Sequence, residues 1–336
     1  MKRWIGPLIL LLVLLAVGGY WFYWNALADG LKNGFDRWVA DRRAEGVEVA
    51  HGTVEVNGFP YRLEMTIAAP SLAAPQLTDQ PSWSADAVVL YFQPWQRGHG
   101  IAEIRGTQNL GWVEGGNRRQ AAITSEQALS SFRFTDRGAI TRFDTDMKNV
   151  QVTGDVALRQ AERLQTHGRL RQDAGAAPHF DFSIRGDGLK VDPAASPLGE
   201  NIDLYRISVT FEPLPASTSP QALDTWRDAG GVLQIPALEI VTGELSITGK
   251  GTFALDPARR AEGAATLIVR GADAFVDAVS AAGQLQAGAR LGLRLGISAL
   301  EETDADGQKF VRLPIAIQDG RFKIMGIGLL DVEPLY

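Results

Sequence analysis

The regular alternation of apolar and polar residues is the main pattern of the chain beyond Val47. Tyr61, Leu63, Met65 and Ile67 alternate with charged or polar neighbours, which is the period of a strand with one buried face. The same period returns in four later segments, whose apolar members are Tyr205, Ile207, Val209 and Phe211; Leu245, Ile247, Phe253 and Leu255; Leu291, Leu293, Leu295 and Ile297; and Val311, Leu313, Ile315 and Ile317. The pattern predicts several half-buried strands.

Short turn signals lie between these strands. Gly186-Asp187-Gly188, Asp306-Gly307 and Asp319-Gly320 are typical of hairpins between antiparallel strands rather than of long parallel crossovers. Two segments predict short helices instead: Pro220 to Ala229 and Ala272 to Ala282. We therefore predict a mainly β fold, in which an N-terminal transmembrane helix and an amphipathic helix precede an extended antiparallel sheet that can curve, with two short helices.

The N-terminal segment is long and apolar enough to cross a membrane. Trp4 to Trp24 contains no charged residue, and as a helix it reaches about 31 Å, which matches a hydrocarbon core. Lys2 and Arg3 precede it, so the positive-inside rule predicts a cytoplasmic N-terminus and a periplasmic C-terminal region. The aromatic cluster from Tyr20 to Trp24 is typical of a membrane interface. We predict a single-pass inner-membrane protein.

A cleaved signal peptide is the alternative to an anchor. Leu8 to Val17 resembles the apolar core of such a peptide, and Ala26-Leu27-Ala28 fits a cleavage site, so cleavage after Ala28 would release the protein to the periplasm. The bulky aromatic residues just upstream fit poorly with a cleavage region. This favours the uncleaved anchor, and both alternatives export the rest of the chain.

A second helical pattern follows the apolar segment. Leu27, Leu31, Phe35 and Trp38 recur at helical spacing, which predicts an amphipathic helix. It either packs against the sheet or lies on the bilayer surface, and we favour packing because Gly30 and Gly34 weaken an isolated helix. The predicted regions are 1–24 (membrane anchor), 25–46 (amphipathic helix), 47–211 (first β region), 212–220 (linker or surface loop) and 221–336 (second β region).

The composition and motifs of the chain limit the kinds of binding site and catalytic site that we expect. The net charge is −6 and Lys and Arg are scattered, so nucleic-acid binding is not expected. With no cysteine, the chain can form neither disulfides nor zinc–thiolate sites. No common catalytic motif occurs, and we expect no enzyme activity and no cofactor. No catalytic, cofactor-binding or metal-binding residue is assigned, and the ligand-binding residues are unknown.

Four groups of residues have both a functional and a structural interpretation. The four histidines, His51, His99, His167 and His179, are too far apart to predict a shared metal site. Glu301, Glu302, Asp304 and Asp306 could bind a cation, but a solvated hairpin tip explains them. Trp83, Trp95, Trp112 and Trp226 could stack on a ligand, although core positions are more common for such side chains. Gly58-Phe59-Pro60 predicts an unusual backbone angle and a buried aromatic ring.

A set of short motifs resembles a known bacterial family. They are Gly58-Phe59-Pro60-Tyr61-Arg62-Leu63, Pro94-Trp95, Trp226-Arg227 with Gly230-Gly231, Gly251-Thr252-Phe253-Ala254-Leu255-Asp256, and Asp319-Gly320. In this order, after an N-terminal anchor, the chain resembles the family called domain of unknown function 2125 over nearly its whole length. Leu238 to Asp256 also looks like the β units of AsmA-like envelope proteins, which implies a link to the inner membrane and to lipid transport. The resemblance assigns no functional residue.

Three functions are compatible with the sequence. The anchor, the one-sided strands and the AsmA-like resemblance favour an uncharacterised envelope protein that binds a lipid or another apolar ligand. The alternatives are an assembly scaffold that contacts other envelope proteins, and a hydrolase with an unrecognised site. Alternation alone cannot separate them, because it shows that one strand face avoids water without showing what covers that face. The sequence gives no indication of oligomeric state.

Overall fold

The computed structural model describes residues 5–135, 138–172, 176–283 and 287–336. Over these residues the protein is mainly β, with antiparallel pairing between the strands. Two compact units divide the chain. Unit 1 comprises Met1–Ile140 with Thr153–Asp155, and unit 2 comprises Thr141–Val152 with Val156–Tyr336. The predicted fold class is confirmed.

Unit 1 combines one long helix with eight strands in its described residues. The helix α1 spans Ile5–Ala44, so the predicted anchor and amphipathic helix form one continuous helix. The strands are β1 (Glu48–Ala50), β2 (Val54–Asn57), β3 (Leu63–Ala68), β4 (Ser71–Ala73), β5 (Ser82–Gln93), β6 (Gln96–Glu114), β7 (Asn117–Thr124) and β8 (Gln127–Phe134). β5 is central, since it pairs with β3, β4 and β6.

Strands and three shorter helices make up the described part of unit 2. In chain order they are β9 (Ile140–Gly154, mainly in this unit), β10 (Leu158–Arg171), β11 (His179–Val191), β12 (Asn201–Glu212), α2 (Pro220–Asp228), β13 (Val232–Thr242), β14 (Leu245–Leu255), β15 (Ala261–Arg270), α3 (Ala272–Gly283), α4 (Ala287–Ala299), β16 (Glu301–Thr303), β17 (Lys309–Gln318), β18 (Arg321–Ile324) and β19 (Ile327–Asp331). From β9 to β15 each strand pairs with the next, and β15 then pairs with β17.

Two predicted helices and two predicted turns are confirmed. Ser219 caps α2, where its hydroxyl accepts a hydrogen bond from the Ala222 amide, and α3 occupies the second predicted segment. At Asp319-Gly320 both residues have positive φ, 55° and 70°, as a two-residue hairpin turn requires. Asp306-Gly307 lies at the β16–β17 hairpin tip.

Two segments differ from their predicted structure. Gly186-Asp187-Gly188 lies inside β11 rather than in a turn. The segment from Leu291 to Ile297 belongs to α4, so the predicted strand is wrong. Its spacing suits a helix equally well, because Leu293 and Ile297 are four residues apart and share one face. Those two side chains are buried, whereas Leu291 and Leu295 are exposed.

Within the Pro-rich segment 212–220, residues 213–219 form a loop between β12 and α2, and a loop is one of the two alternatives that the composition left open. It lies within unit 2, and the division between the units falls at Ile140 instead. Trp226 on α2 is 8% exposed and donates a hydrogen bond to the Pro213 carbonyl oxygen at 2.6 Å. This tryptophan is therefore a core side chain that fastens the loop to the helix.

The main core of unit 2 forms where α3 and α4 cover the sheet. Leu293 and Ile297 of α4 and Phe275 and Val276 of α3 pack with strand residues that include Val269, Val311 and Leu313. Farther along the same sheet, Phe182 on β11 and Val209 on β12 are only half-buried. One part of the apolar sheet face is thus covered by helices and another part is not.

Replacement of Leu293 by Asp should unfold unit 2 or destabilise it strongly. Leu293 is fully buried, so the lost packing costs about 2–5 kcal/mol, and burial of an unpaired carboxylate adds to that cost. Leu295→Asp is the matched control, because Leu295 lies on the same helix but is 63% exposed. Chemical denaturation of both variants measures the difference. Similar stability of the two variants would contradict the packing of α4.

Candidate functional site

α1 is fastened to the strands of unit 1 by three aromatic side chains. The Tyr20 hydroxyl donates to the Pro60 carbonyl oxygen at 2.6 Å, and the Tyr23 hydroxyl donates to that of Pro94 at 2.9 Å. Trp24 is 6% exposed and its Nε1 donates to the Arg62 carbonyl oxygen at 3.1 Å. We call Tyr20, Tyr23 and Trp24 the aromatic clamp. Its members were predicted as a membrane-interface cluster, but they also hold the helix against two loops.

Gly58 shapes the loop that receives the aromatic clamp. Its φ is +99°, and a Cβ there would lie 2.8 Å from the Arg62 carbonyl oxygen, so glycine is required as predicted. The next peptide bond, Phe59–Pro60, is cis. The Phe59 ring contacts Trp24 edge-on, with the ring centroids 5.7 Å apart. Phe59 is nevertheless 46% exposed, so its predicted burial is wrong.

Beyond the clamp, α1 forms one wall of an apolar groove. The groove has a volume of about 660 Å³, within the range of about 300–1,000 Å³ that is usual for ligand sites. Gly30, Gly34, Phe35 and Trp38 line it on α1, Met65 and Ile67 on β3, and Val88, Leu90 and Phe92 on β5. We call this the α1 groove. None of the described residues that line it is Lys, Arg, Asp or Glu.

The register of the sheet explains why the lining is apolar. Met65 pairs with Leu90 and Ile67 pairs with Val88, so these four side chains point to the same face of the sheet. That face is turned towards α1, because Leu63 at the start of β3 packs against Trp24 and Ala28. Leu27 and Leu31 pack against the same cluster, which confirms for these two residues that the amphipathic stripe packs on the sheet.

The opposite face of the same strands is polar. The Tyr91 hydroxyl donates to Glu103 at 2.6 Å, and Arg105 contacts both groups at 2.8 Å. The hydrogen bond from Arg105 lowers the pKa of Glu103, while burial, aided by the contact with Glu103, raises the pKa of Tyr91. These polar groups form hydrogen bonds with one another, so they fix which face of the sheet is polar.

Two other concavities, of about 750 Å³ each, have more polar linings. The one in unit 1 includes Arg43, which donates to the Val49 carbonyl oxygen, and Arg119, which pairs with Glu114 at 3.5 Å. The one in unit 2 includes Lys250 and Lys323. These two larger concavities are therefore lined in part by charged groups or by groups that already have hydrogen-bond or ion-pair partners. We favour the α1 groove as the candidate site because its lining is more uniformly apolar.

The histidines lie apart and have local partners. His51 lines the α1 groove and contacts the Phe35 ring, with centroids 5.0 Å apart. His99 bonds to Ser131, and His167 bonds to Asp144 at 2.8 Å. Burial alone would raise the pKa of Asp144, but hydrogen bonds from Arg142 and His167 lower it. Among the described residues, no group of three or more His, Asp or Glu side chains could hold a metal ion.

The acidic run after α4 is divided between strand β16, which contains Glu301 and Glu302, and the following turn, which contains Asp304 and Asp306. Asp304 accepts hydrogen bonds from the backbone amides of Gln308 and Asp306 and from the Arg270 side chain. These bonds lower the pKa of Asp304. Its carboxylate therefore has structural partners, which supports the predicted hairpin tip as the explanation of this run.

The other tryptophans differ in their surroundings. Trp83 lines the α1 groove and donates to Gln108 at 3.3 Å, and Trp112 is half-buried on β6. Trp95 is 63% exposed. The sequence identified these large aromatics but not the groove, because its walls come from α1, β3 and β5, and only the pairing of the chain brings them together.

These features define a class: a mainly β protein whose N-terminal helix is long and apolar enough to span a membrane and also lines an apolar groove. The chain belongs to the family described as "Uncharacterized protein conserved in bacteria (DUF2125)", whose model matches residues 21–333. This match confirms the family resemblance. No curated protein matches the chain, and no solved structure matches it. The looser resemblance to AsmA-like proteins stays a prediction.

Replacement of Gly58 by Val should destabilise unit 1 by about 1–3 kcal/mol. The valine would be strained at the φ of +99°, and its Cβ would contact the Arg62 carbonyl oxygen that accepts from Trp24. Gly115→Val is the control, since Gly115 also has positive φ but a Cβ there meets no atom within 4 Å. Thermal melting of both variants tests the prediction. An equal loss in the two would show that contact with Arg62 is unimportant.

Proposed function

We propose that this protein is a non-enzymatic, membrane-anchored periplasmic protein that holds a lipid acyl chain in the α1 groove. One observation carries the proposal: the helix that is apolar enough to span a membrane continues directly into the wall of an apolar groove. A lipid is the ligand whose chemistry fits both parts of that helix. The role that follows is lipid binding in maintenance of the cell envelope.

The distance along α1 supports a lipid rather than a general apolar ligand. Gly30 follows Trp24 by six residues, which is about 9 Å along a helix, and Trp38 lies about 21 Å beyond Trp24. If the aromatic clamp marks the bilayer surface, the groove starts within one headgroup layer of the hydrocarbon core. An acyl chain drawn from that leaflet would reach the groove along the helix surface.

The two groove glycines also support the proposal. Gly30 and Gly34 lie inside a helix, where each costs about 1 kcal/mol relative to alanine. A Cβ at either position would meet no atom within 4 Å, so close packing does not require them. What they do provide is free space in the wall of the groove. Occupation of that space by a ligand accounts for both glycines.

The packing of the N-terminal helix supports its retention. Ala28, the residue before the alternative cleavage site, is 6% exposed and packs with Trp24 and Leu63. Cleavage after Ala28 would remove this buried pair and the three hydrogen bonds of the aromatic clamp. The folded unit 1 is therefore best suited to an uncleaved anchor.

An alkaline phosphatase reporter fused after Tyr336 should be active, because Lys2 and Arg3 favour a cytoplasmic N-terminus. The protein should also remain with membranes after a carbonate wash. Activity of a reporter that functions only in the cytoplasm would contradict the orientation. Release of a chain shortened by about 28 residues would show signal-peptide cleavage and contradict the anchor.

The double variant Gly30→Leu, Gly34→Leu should fill the α1 groove without unfolding the protein. The loss of four methylene contacts with the lipid, at about 0.8 kcal/mol each, would weaken lipid binding about 200-fold. The measurement uses full-length protein in vesicles that contain a diazirine-bearing phospholipid, with crosslinked peptides mapped by mass spectrometry. In the unchanged protein we expect crosslinks to peptides that contain Met65 and Leu90, and in the variant we expect their loss.

Gly18→Leu, Gly19→Leu is the matched control, because these glycines lie in the apolar part of the same helix and a Cβ there also meets no atom within 4 Å. It should keep the crosslinks to the groove peptides. Both double variants should melt at or above the temperature of the unchanged protein, since leucine is the better helix former. Absence of crosslinks at Met65 and Leu90 in the unchanged protein would reject lipid binding at this groove and favour the scaffold alternative.

A further inference from the structure

A group of large aromatic side chains stays exposed around the aromatic clamp. Trp21 and Phe22 on α1 are 57% and 72% exposed, and Phe59, Tyr61 and Trp95 are 46%, 76% and 63% exposed. These five residues come from three separate parts of the chain. We call them the aromatic platform.

Hydrogen bonds of the aromatic clamp hold these three parts of the chain beside one another. Tyr20 bonds to Pro60, between Phe59 and Tyr61, and Tyr23 bonds to Pro94, next to Trp95. Both loops therefore lie beside the turn of α1 that carries Trp21 and Phe22. This turn directly follows an exposed apolar stretch, in which Leu14, Leu15 and Val17 are each more than half exposed.

We propose that the aromatic platform seats unit 1 on the lipid bilayer interface, with the loops at 58–62 and 94–95 in contact with the headgroup layer. The inference goes beyond lipid binding in the groove, although it rests on the proposed membrane anchorage. Tyr and Trp favour the interface because one part of each ring system is apolar and another forms hydrogen bonds. Continuity of the platform with the apolar stretch of α1 identifies the bilayer as the partner.

The charged residues of the platform loops are compatible with a lipid bilayer as the partner. The two loops, residues 58–62 and 94–95, contain Arg62 and no acidic residue. The Arg62 side chain is 57% exposed even though it pairs with Glu64 at 2.6 Å. Loops without acidic residues of their own add no repulsion towards anionic headgroups, and the exposed part of the Arg62 guanidinium adds attraction. The platform therefore fixes the tilt of unit 1, which a single helix alone would leave free to vary.

The absence of cysteine in the chain makes site-specific labelling the suitable test. A bimane label at Gln96→Cys, beside Trp95 and exposed, reports on the platform in full-length protein. Leu12→Cys in the apolar stretch reports on insertion, and Leu77→Cys reports on the β4–β5 loop, away from the platform; both leucines are more than half exposed. The vesicles are phosphatidylcholine and phosphatidylglycerol, with nitroxide quenchers either at the headgroup or deep in the acyl chain.

We expect headgroup nitroxides to quench the Gln96→Cys label strongly and the Leu77→Cys label weakly. Addition of Tyr61→Ser and Trp95→Ser should lower quenching at position 96 to the level at position 77 while melting stays unchanged, because both aromatic side chains are exposed. Weak quenching in the unchanged platform, or quenching that the double serine variant does not alter, would overturn the proposal.

Two further results separate this proposal from the ones it depends on. Quenching of the Leu12→Cys label by deep nitroxides, without quenching at position 96, would retain the anchor and reject the platform. No quenching at position 12 would reject the anchor and the platform together. A loss of fluorescence at position 96 that occurs without nitroxides and grows with the protein-to-lipid ratio would show contact between copies of the chain and would also overturn the bilayer interface.

Discussion

The contact between Trp24 and the loop of Gly58 to Arg62 is the constraint on which the rest of unit 1 depends. Its indole hydrogen bond to the Arg62 carbonyl oxygen and its contact with Leu63 join α1 to the first residue of β3. Tyr20 and Tyr23 lie on the same side of the helix and bond to neighbouring loops. Three contacts within two helical turns fix both the rotation and the height of α1 relative to the sheet. The position of the α1 groove follows from that fixed geometry.

The groove exists because close packing at the clamp is not continued farther along α1. At the clamp the helix presents Trp24 and Ala28, which are buried. Farther along, the helix presents Gly30 and Gly34, where an added Cβ would meet no protein atom within 4 Å. Helix propensity alone disfavours glycine at both positions. The proposed acyl chain supplies the missing contacts, and the same reasoning makes the leucine substitutions a test of occupancy rather than of folding.

The hydrophobic pattern of the sequence correctly predicted strands in which apolar and polar residues alternate without interruption. The prediction was wrong where the spacing of apolar residues fits both a strand and a helix. β12 and β17 follow from uninterrupted alternation. Leu291 to Ile297 also alternates, yet Leu293 and Ile297 satisfy the helical spacing, and burial against α3 and the sheet decides in favour of α4. The glycines at 186 and 188 resemble a turn but lie in β11, because a glycine permits a local irregularity within a strand as readily as a turn. The groove was beyond prediction, since Gly34, Met65 and Leu90 meet only through packing that no local pattern records.

The polar cluster on the far side of β5 limits where a lipid can bind. Side chains alternate along the strand, so Leu90 faces α1 while Tyr91 faces Glu103 and Arg105. A one-residue slip of β5 would place Tyr91 in the groove and Leu90 among charged groups. The hydrogen bonds of Tyr91, Glu103 and Arg105 oppose that slip. They therefore act on the proposed binding site from the opposite face of the sheet, by keeping Val88 and Leu90 turned towards the glycines of α1.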